Sequence, residues 1–181
     1  MTFSLLTILI GVAYGLPQIY GLMNPDGFKK LLKEFPRNLT LGGILMWIST
    51  CWFLYNVYHE EIADFEAYKN LMLGGFAAVG IGTCIYLRDF LGARGLAVFL
   101  LMLAKLVVDT GRWVESPLRL IVITWSYVWI LAGMWWTISP WRCRDWFDWN
   151  IADDKRFKLL TAIRAGFAIL IVVLGATALR S

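Results

Sequence analysis

The chain has 181 residues, a formal net charge of +4 and a mean hydropathy of +0.64, and 59% of its residues are hydrophobic. This composition lies outside the range of soluble globular domains and indicates an integral membrane protein with one domain, residues 1–181. The basic residues lie between apolar runs and form no dense block, so we expect no nucleic-acid partner.

Six apolar runs predict an all-α, polytopic membrane protein with six transmembrane helices in three hairpins. The first run has no basic region before it and no small-residue cleavage site, so we expect a retained helix rather than a signal peptide. About 20 apolar residues in a helix cross about 30 Å of hydrocarbon. The predicted helices cover residues 3–23, 38–58, 70–87, 95–113, 118–138 and 159–179.

Two connections have the pattern of amphipathic helices at a membrane surface. After the first helix, apolar residues at helical spacing alternate with lysines, which predicts a short surface helix that Pro36 ends. After the fifth helix, tryptophans alternate with charged residues, a pattern suited to the headgroup region. The tryptophans predicted to be interfacial anchors are Trp141, Trp146 and Trp149.

The distribution of basic residues predicts the orientation of the helices. If the connections after helices one, three and five lie on one side, that side holds 12 of the 17 lysines and arginines. The positive-inside rule then makes these loops cytoplasmic and places both termini outside, as in a bacterial inner membrane protein. The twelve are Lys29, Lys30, Lys33, Arg37, Arg88, Arg94, Arg142, Arg144, Lys155, Arg156, Lys158 and Arg164.

The fourth predicted helix carries charged residues that are candidates for an intramembrane polar site. Lys105, Asp109 and Arg112 are spaced i, i+4 and i+7, so they share one face. A charge within a spanning helix indicates function by default, because it is costly unless paired. The structural alternative is that Lys105, roughly 12 Å from the helix end, extends its amine to the interface.

A repeated pattern connects the second and third predicted helices. Residues 37–43 and 69–75 both read basic-Asn-Leu-x-Leu-Gly-Gly, and residues 50–54 and 83–87 both read Thr-Cys-x-aromatic-Leu. Because these two helices run in opposite directions, the copies form an inverted pair, an arrangement that often lies near transporter sites. The pattern predicts that Cys51 and Cys84 lie at similar depth, and it adds Thr50 and Thr83 to the candidate polar site.

Glycines are frequent on the predicted helices, and small residues in lipid mark places where helices pack closely. They could pack against helices of this chain or of another protein. The predicted packing glycines are Gly11, Gly15, Gly42, Gly43, Gly74 and Gly75.

Two short resemblances concern the first helix and the chain that follows it. Pro17-Gln18 resembles the dipeptide of the PQ-loop transporters, in which the proline acts as a hinge, and this implies a transport role for Gln18. Residues 5–57 resemble small two-helix bacterial inner-membrane proteins of the YjeT type, a family of unassigned role. That resemblance rests on Gly15-Leu16-Pro17, on Pro25 followed by Phe28-Lys29-Lys30, on Pro36 and on Gly42-Gly43. It implies a membrane hairpin with a surface helix and no catalytic residue.

The sequence contains no pattern that predicts catalysis. There is one histidine, no Cys-x-x-Cys spacing and no glycine-rich nucleotide loop, so we expect no enzyme activity, no metal and no cofactor. The first hypothesis is a non-catalytic accessory, assembly or scaffolding subunit that packs against a membrane complex, a second copy or lipid. The alternative is a small transporter or channel that uses the intramembrane polar residues.

Overall fold

The computed structural model describes residues 2–61 and 63–179, with the backbone alone for residues 63–65. The described residues form eight α-helices and two short 3-10 helices, Phe35–Arg37 and Ala63–Tyr68, with no strand among them. The first residue and the last two residues lie outside the described ranges. The prediction that both termini are on the outer side of the membrane therefore concerns residues that the structure does not describe. The α-helices are α1 Phe3–Met23, α2 Pro25–Glu34, α3 Leu39–His59, α4 Lys69–Tyr86, α5 Leu91–Gly111, α6 Arg119–Ile138, α7 Trp141–Ile151 and α8 Asp154–Ala176.

Five of these helices, α1, α3, α5, α6 and α8, are long and apolar enough to cross a membrane. The all-helical prediction is therefore confirmed for the described residues, and the helices indicate a membrane protein. The sixth predicted crossing, α4, is a helix of 18 residues but is not among the five. It begins with Lys69 and Asn70 and contains four glycines, and its mean hydropathy falls short of the 1.2 that α3 reaches.

Two helices begin earlier than the sequence predicts, for local reasons. In α8 the Asp153 carboxylate accepts a hydrogen bond from the Lys155 amide at 3.0 Å, which starts the helix at Asp154 rather than near residue 159. Before α5, Phe90 adopts a left-handed φ of 56°, so the chain reverses within a short turn and α5 starts at Leu91 rather than near residue 95.

The described chain forms two compact units. The first unit comprises Met1–Glu34, Leu103–Leu131 and Arg144–Ser181, and the second comprises Phe35–Met102 and Ala132–Cys143. Helices α5, α6 and α7 contribute residues to both units.

The first unit is built on an antiparallel pair, α1 and α8. A Cβ at Gly11 would lie 3.2 Å from the Ala168 carbonyl oxygen, and one at Gly175 would lie 3.1 Å from the Ser4 carbonyl oxygen, so the backbones nearly touch along the pair. The Ser4 hydroxyl donates to the Gly175 carbonyl at 2.6 Å, which fixes the register. Dispersion contacts between close backbones hold such a pair together in lipid.

Helix α2 also packs in the first unit, where its buried Phe28 lies 6.1 Å from the Phe157 ring, centroid to centroid. The neighbouring Lys29 pairs with Asp154, the first residue of α8. A surface-type helix predicted from its lysine and phenylalanine pattern is thus joined to α8 by one apolar contact and one ionic contact.

The second unit has α3 in contact with both α4 and α5. Gly42 of α3 lies directly against the Leu91–Gly92 backbone at the start of α5, and a Cβ at Gly95 would lie 2.6 Å from the Gly42 carbonyl oxygen. On another side of α3, Phe53 meets Phe76 of α4 edge to face, with centroids 5.0 Å apart. These two contacts position α3 between α4 and α5.

Candidate functional site

The predicted ion pair on α5 forms. The Lys105 Nζ atom lies 2.6 Å from Asp109 Oδ2, and the two side chains are 39% and 48% exposed. Arg112 follows the last residue of α5, and its carbonyl accepts a hydrogen bond from Arg119 at 3.3 Å. Lys105 is six residues, or about 9 Å, from the helix end, so the pair is partly exposed and internally neutralised.

Gln18 is the most enclosed of the predicted polar residues. It lies on α1 in the first unit, only 8% of its surface is exposed, and its Oε1 atom has no hydrogen-bond partner among the described residues. A buried amide oxygen without a donor costs about 1–3 kcal/mol, so its retention needs an explanation.

The two threonines belong to the second unit, on neighbouring helices. Thr83 Oγ1 donates to the Val79 carbonyl at 2.8 Å, a bond within α4 that leaves the hydroxyl satisfied. The Thr50 side chain lies against Gly80, which has no side chain to block it. The threonines are therefore in a different unit from the ion pair and Gln18.

The Thr50–Gly80 contact also fixes the relative depth of the two cysteines. Cys51 is one residue beyond Thr50 on α3, and Cys84 is four residues beyond Gly80 on α4, which runs the opposite way. At 1.5 Å per residue the cysteines differ in depth by about 7 Å. They lie on neighbouring helices, as predicted, but about one and a half turns apart rather than level.

The six predicted packing glycines divide into two groups. Gly11 and Gly15 pack against α8, and Gly42 packs against the start of α5. A Cβ at Gly43, Gly74 or Gly75 would meet no described atom within 4 Å. The second group therefore has no packing partner in the described part of the chain.

The predicted tryptophan anchors of α7 are all partly exposed. Two of them stack with arginines of α8: the Arg156 guanidinium lies 4.7 Å from the Trp149 ring centroid, and the Arg164 guanidinium lies 4.9 Å from that of Trp146. These tryptophans thus act as platforms for cations, a contact worth about 0.5–1 kcal/mol where it is exposed.

Arg164 is the centre of a polar cluster that the sequence did not reveal. Its Nη2 atom donates to Asn150 Oδ1 at 2.7 Å, and the Asn150 amide in turn donates to the Trp146 carbonyl at 2.6 Å. Tyr14 of α1 lies within electrostatic range of the guanidinium. Fourteen residues separate Asn150 from Arg164, so no helical or strand spacing could connect them.

An apolar groove lies next to this cluster in the first unit. Trp125 of α6 meets the Tyr14 ring at 4.9 Å and the Phe167 ring at 5.0 Å, centroid to centroid. The groove has a volume of about 460 Å³ and is open to the outside. Its lining residues are Leu120, Ile121, Thr124, Trp125, Val128 and Phe167.

The described residues contain no cluster of three or more metal-ligating side chains, and the described cysteines are not paired in disulfides. The features that could bind a partner molecule are thus the Arg164 cluster with its groove, the buried Gln18 amide and the open glycine face of α4. Comparisons with protein-family models, with curated proteins and with solved structures give no match to this chain.

Proposed function

We propose that this protein is a non-catalytic membrane subunit that assembles with a helix of another membrane protein or of a second copy, through the free face of α4. The observation that carries the proposal is a row of small residues on α4 that nothing in the described chain covers. Gly74, Ala78 and Gly82 are spaced i, i+4 and i+8, so they form one stripe. A Cβ at either glycine would meet no described atom within 4 Å.

The opposite face of α4 is the one that packs within the chain. Gly80 lies against Thr50, and Phe76 lies against Phe53, both residues of α3. Even so, no residue of α4 is fully buried, and Leu71 at the edge of the stripe is 74% exposed. Half of the helix circumference is thus available to another molecule.

In lipid, a row of small residues has a specific use. Burial of apolar groups gives little gain there, so helices associate where small residues let their backbones come close. The same chain uses glycine in this way where Gly11 of α1 packs against α8 and where Gly42 of α3 packs against α5. The α4 stripe consists of the same kind of small residues, but no described helix packs on it. Because α4 is less hydropathic than the five candidate spans, a protein helix beside it would stabilise it more than lipid does.

The proposal includes the topology expected from the sequence. It takes α4 as a sixth crossing, which makes three hairpins, and assigns the basic connections to the cytoplasm of a bacterial inner membrane. The YjeT-type resemblance of residues 5–57 is consistent with the first hairpin and its surface helix, which correspond to α1, α2 and α3.

The test compares two substitutions of the same kind on different helices. Ala78→Leu adds bulk at the middle of the α4 stripe, and Ala162→Leu adds it at an exposed alanine of α8. Tagged full-length protein is extracted from native membranes in mild detergent, and its native mass and co-purifying proteins are measured. We expect the wild type and Ala162→Leu to be isolated as the same complex or dimer, and Ala78→Leu as a monomer.

Either of two results would contradict the proposal. One is a wild-type protein that is monomeric in native membranes, shown by crosslinking before extraction as well as by mass after it. The other is an Ala78→Leu variant that keeps the wild-type complex. Circular dichroism of each variant shows that it is folded before the comparison is made.

A second candidate, a small transporter or channel, is supported by the buried Gln18 amide whose oxygen has no partner. Such a group could bind a polar solute or an ion inside the first unit. Liposome flux of the wild type, Gln18→Ala and Asp109→Asn is the test. A flux that both substitutions leave unchanged would remove these residues from the path, and the absence of flux for any solute tried would count against the class.

A further inference from the structure

Arg164 is a cation within a spanning helix that has no carboxylate partner in the described part of the chain. Three other bases of the first unit have carboxylate partners: Lys29 pairs with Asp154, Lys105 pairs with Asp109, and Arg144 pairs with Asp145. Arg164 instead donates to the neutral Asn150 side chain and stacks on Trp146. A charge within a spanning helix normally has an opposite charge nearby, and the described chain provides none within ion-pair distance of Arg164.

The guanidinium is held in one orientation with donors to spare. Asn150 is 1% exposed, and its side-chain NH2 group donates a hydrogen bond to the Trp146 carbonyl. This bond fixes the position of the Oδ1 atom that accepts the hydrogen bond from Arg164. An arginine has five N–H donors, and the described chain supplies an acceptor for one of them. The half-buried guanidinium therefore presents the rest to its surroundings, in the planar geometry that matches phosphate.

The apolar groove begins one helical turn from this cation. Phe167 is at i+3 from Arg164 on α8, so the two side chains share a face. The groove of about 460 Å³ continues from Phe167 along α6, past Trp125 and Val128. It is lined almost wholly by carbon and opens outward, where the hydrocarbon of the bilayer would be.

We propose that this cation and groove together bind one anionic phospholipid. The phosphate accepts hydrogen bonds from Arg164, and one acyl chain lies in the groove against Trp125 and Phe167. Charge complementarity selects the occupant, because a phosphate neutralises the unpaired guanidinium while a chain attached to it replaces solvent or loose lipid on the apolar wall. The site lies in the first unit and the α4 stripe lies in the second, so this proposal is independent of the assembly proposed above.

The experiment measures binding of defined lipids to the purified full-length chain in detergent by native mass spectrometry. The probes are phosphatidylglycerol, phosphatidylethanolamine with the same acyl chains, and inorganic phosphate. We expect one phosphatidylglycerol to bind tightly, phosphatidylethanolamine to bind about 10-fold more weakly, and inorganic phosphate to give no comparable occupancy. Tight binding of inorganic phosphate would instead identify a site for a free anion and overturn the lipid assignment.

Variants separate the two parts of the site. Arg164→Gln should weaken phosphatidylglycerol about 10-fold or more, because it removes a charge-assisted hydrogen bond. Lys158→Gln, the same charge change at an exposed residue of α8, should leave binding unchanged. Equal loss from both variants would mean a diffuse attraction of anionic lipid to basic surface, and it would overturn the proposal.

A third variant protects the test if Arg164→Gln does not fold. Val128→Trp fills the groove without changing any charge, and Val128 is an exposed residue that the chain does not need for its own packing. We expect it to lower the affinity for phosphatidylglycerol while circular dichroism stays that of the wild type. A folded Val128→Trp variant with wild-type affinity would show that no acyl chain lies in the groove.

Discussion

Two adjacent glycines, Gly42 and Gly43, allow one structural contact to be tested against its neighbour in the sequence. A Cβ added at Gly42 would lie 2.5 Å from the Leu91 carbonyl carbon and 2.8 Å from its oxygen. Carbon atoms pack best at about 3.5–4.0 Å, so α3 and α5 would have to separate by about 1 Å. Because backbone atoms cannot rotate away, we expect Gly42→Ala to cost about 3 kcal/mol, the upper part of the range for overpacking.

Gly43→Ala is the matched control. A Cβ there meets no described atom within 4 Å, so the substitution adds only the helix preference of alanine, about 0 to 1 kcal/mol in favour of folding. The assay is unfolding of each purified variant in mixed micelles with increasing sodium dodecyl sulfate, followed by tryptophan fluorescence. The change in the free energy of unfolding should differ between the two variants by about 3–4 kcal/mol.

The reasoning fails if the two alanine variants have the same stability, or if Gly42→Ala is as stable as the wild type. Either result would mean that the α3–α5 backbone contact does not form in the folded protein. Gly42→Ser gives a second reading, because its extra oxygen should make the clash at Leu91 worse than that of alanine.

Three further predictions concern other parts of the chain. Burial raises the pKa of the Cys143 thiol from 9.0 to about 12, so maleimide at pH 8 should leave Cys143 unmodified in the folded protein and label it after denaturation. Because the raised pKa keeps Cys143 protonated in the folded state, its contribution to the free energy of unfolding should be complete below pH 9 and should fall as the pH rises towards 12; labelling of Cys143 at the same rate in the folded and the denatured protein would contradict the burial. Asn38→Ala removes the cap of α3, where the Asn38 side chain accepts from the Leu41 amide at 2.9 Å, and should lower the free energy of unfolding by about 1 kcal/mol, whereas no change would show that the cap is not formed. Gly11→Leu should separate α1 from α8 and make the first unit sensitive to proteolysis. Unchanged protease resistance would argue against the close contact between α1 and α8.

Much of the secondary structure could be predicted because it depends on local patterns. Apolar runs and the turn residues between them are local, and the predicted range 3–23 matches α1 while 118–138 is within one residue of α6. Helix starts were less predictable where a cap or a turn decided them. Asp153 and Phe90 each act through a single residue's conformation, and hydropathy does not register such effects.

The candidate site shows where local patterns stop being informative. The Lys105–Asp109 pair could be predicted because an i, i+4 spacing brings its members together on one helix. The Arg164 cluster could not, since a hydrogen bond there joins α8 to α7 across fourteen residues and Tyr14 of α1 lies within electrostatic range of the guanidinium. The sequence alone places Arg164 among the basic residues that set the topology.

The sequence by itself determined the class of this protein, an all-helical membrane protein, because composition and hydrophobic periodicity are sums over local residues. It could not distinguish Gly42 from Gly43, since both are glycines with the same helix propensity in the same apolar run. Only the tertiary structure decided which of the two meets a backbone, which glycines of α4 stay uncovered, and which side chains surround Arg164. Those properties depend on what lies across the interface, and in a helix bundle the residue across the interface is remote in the chain.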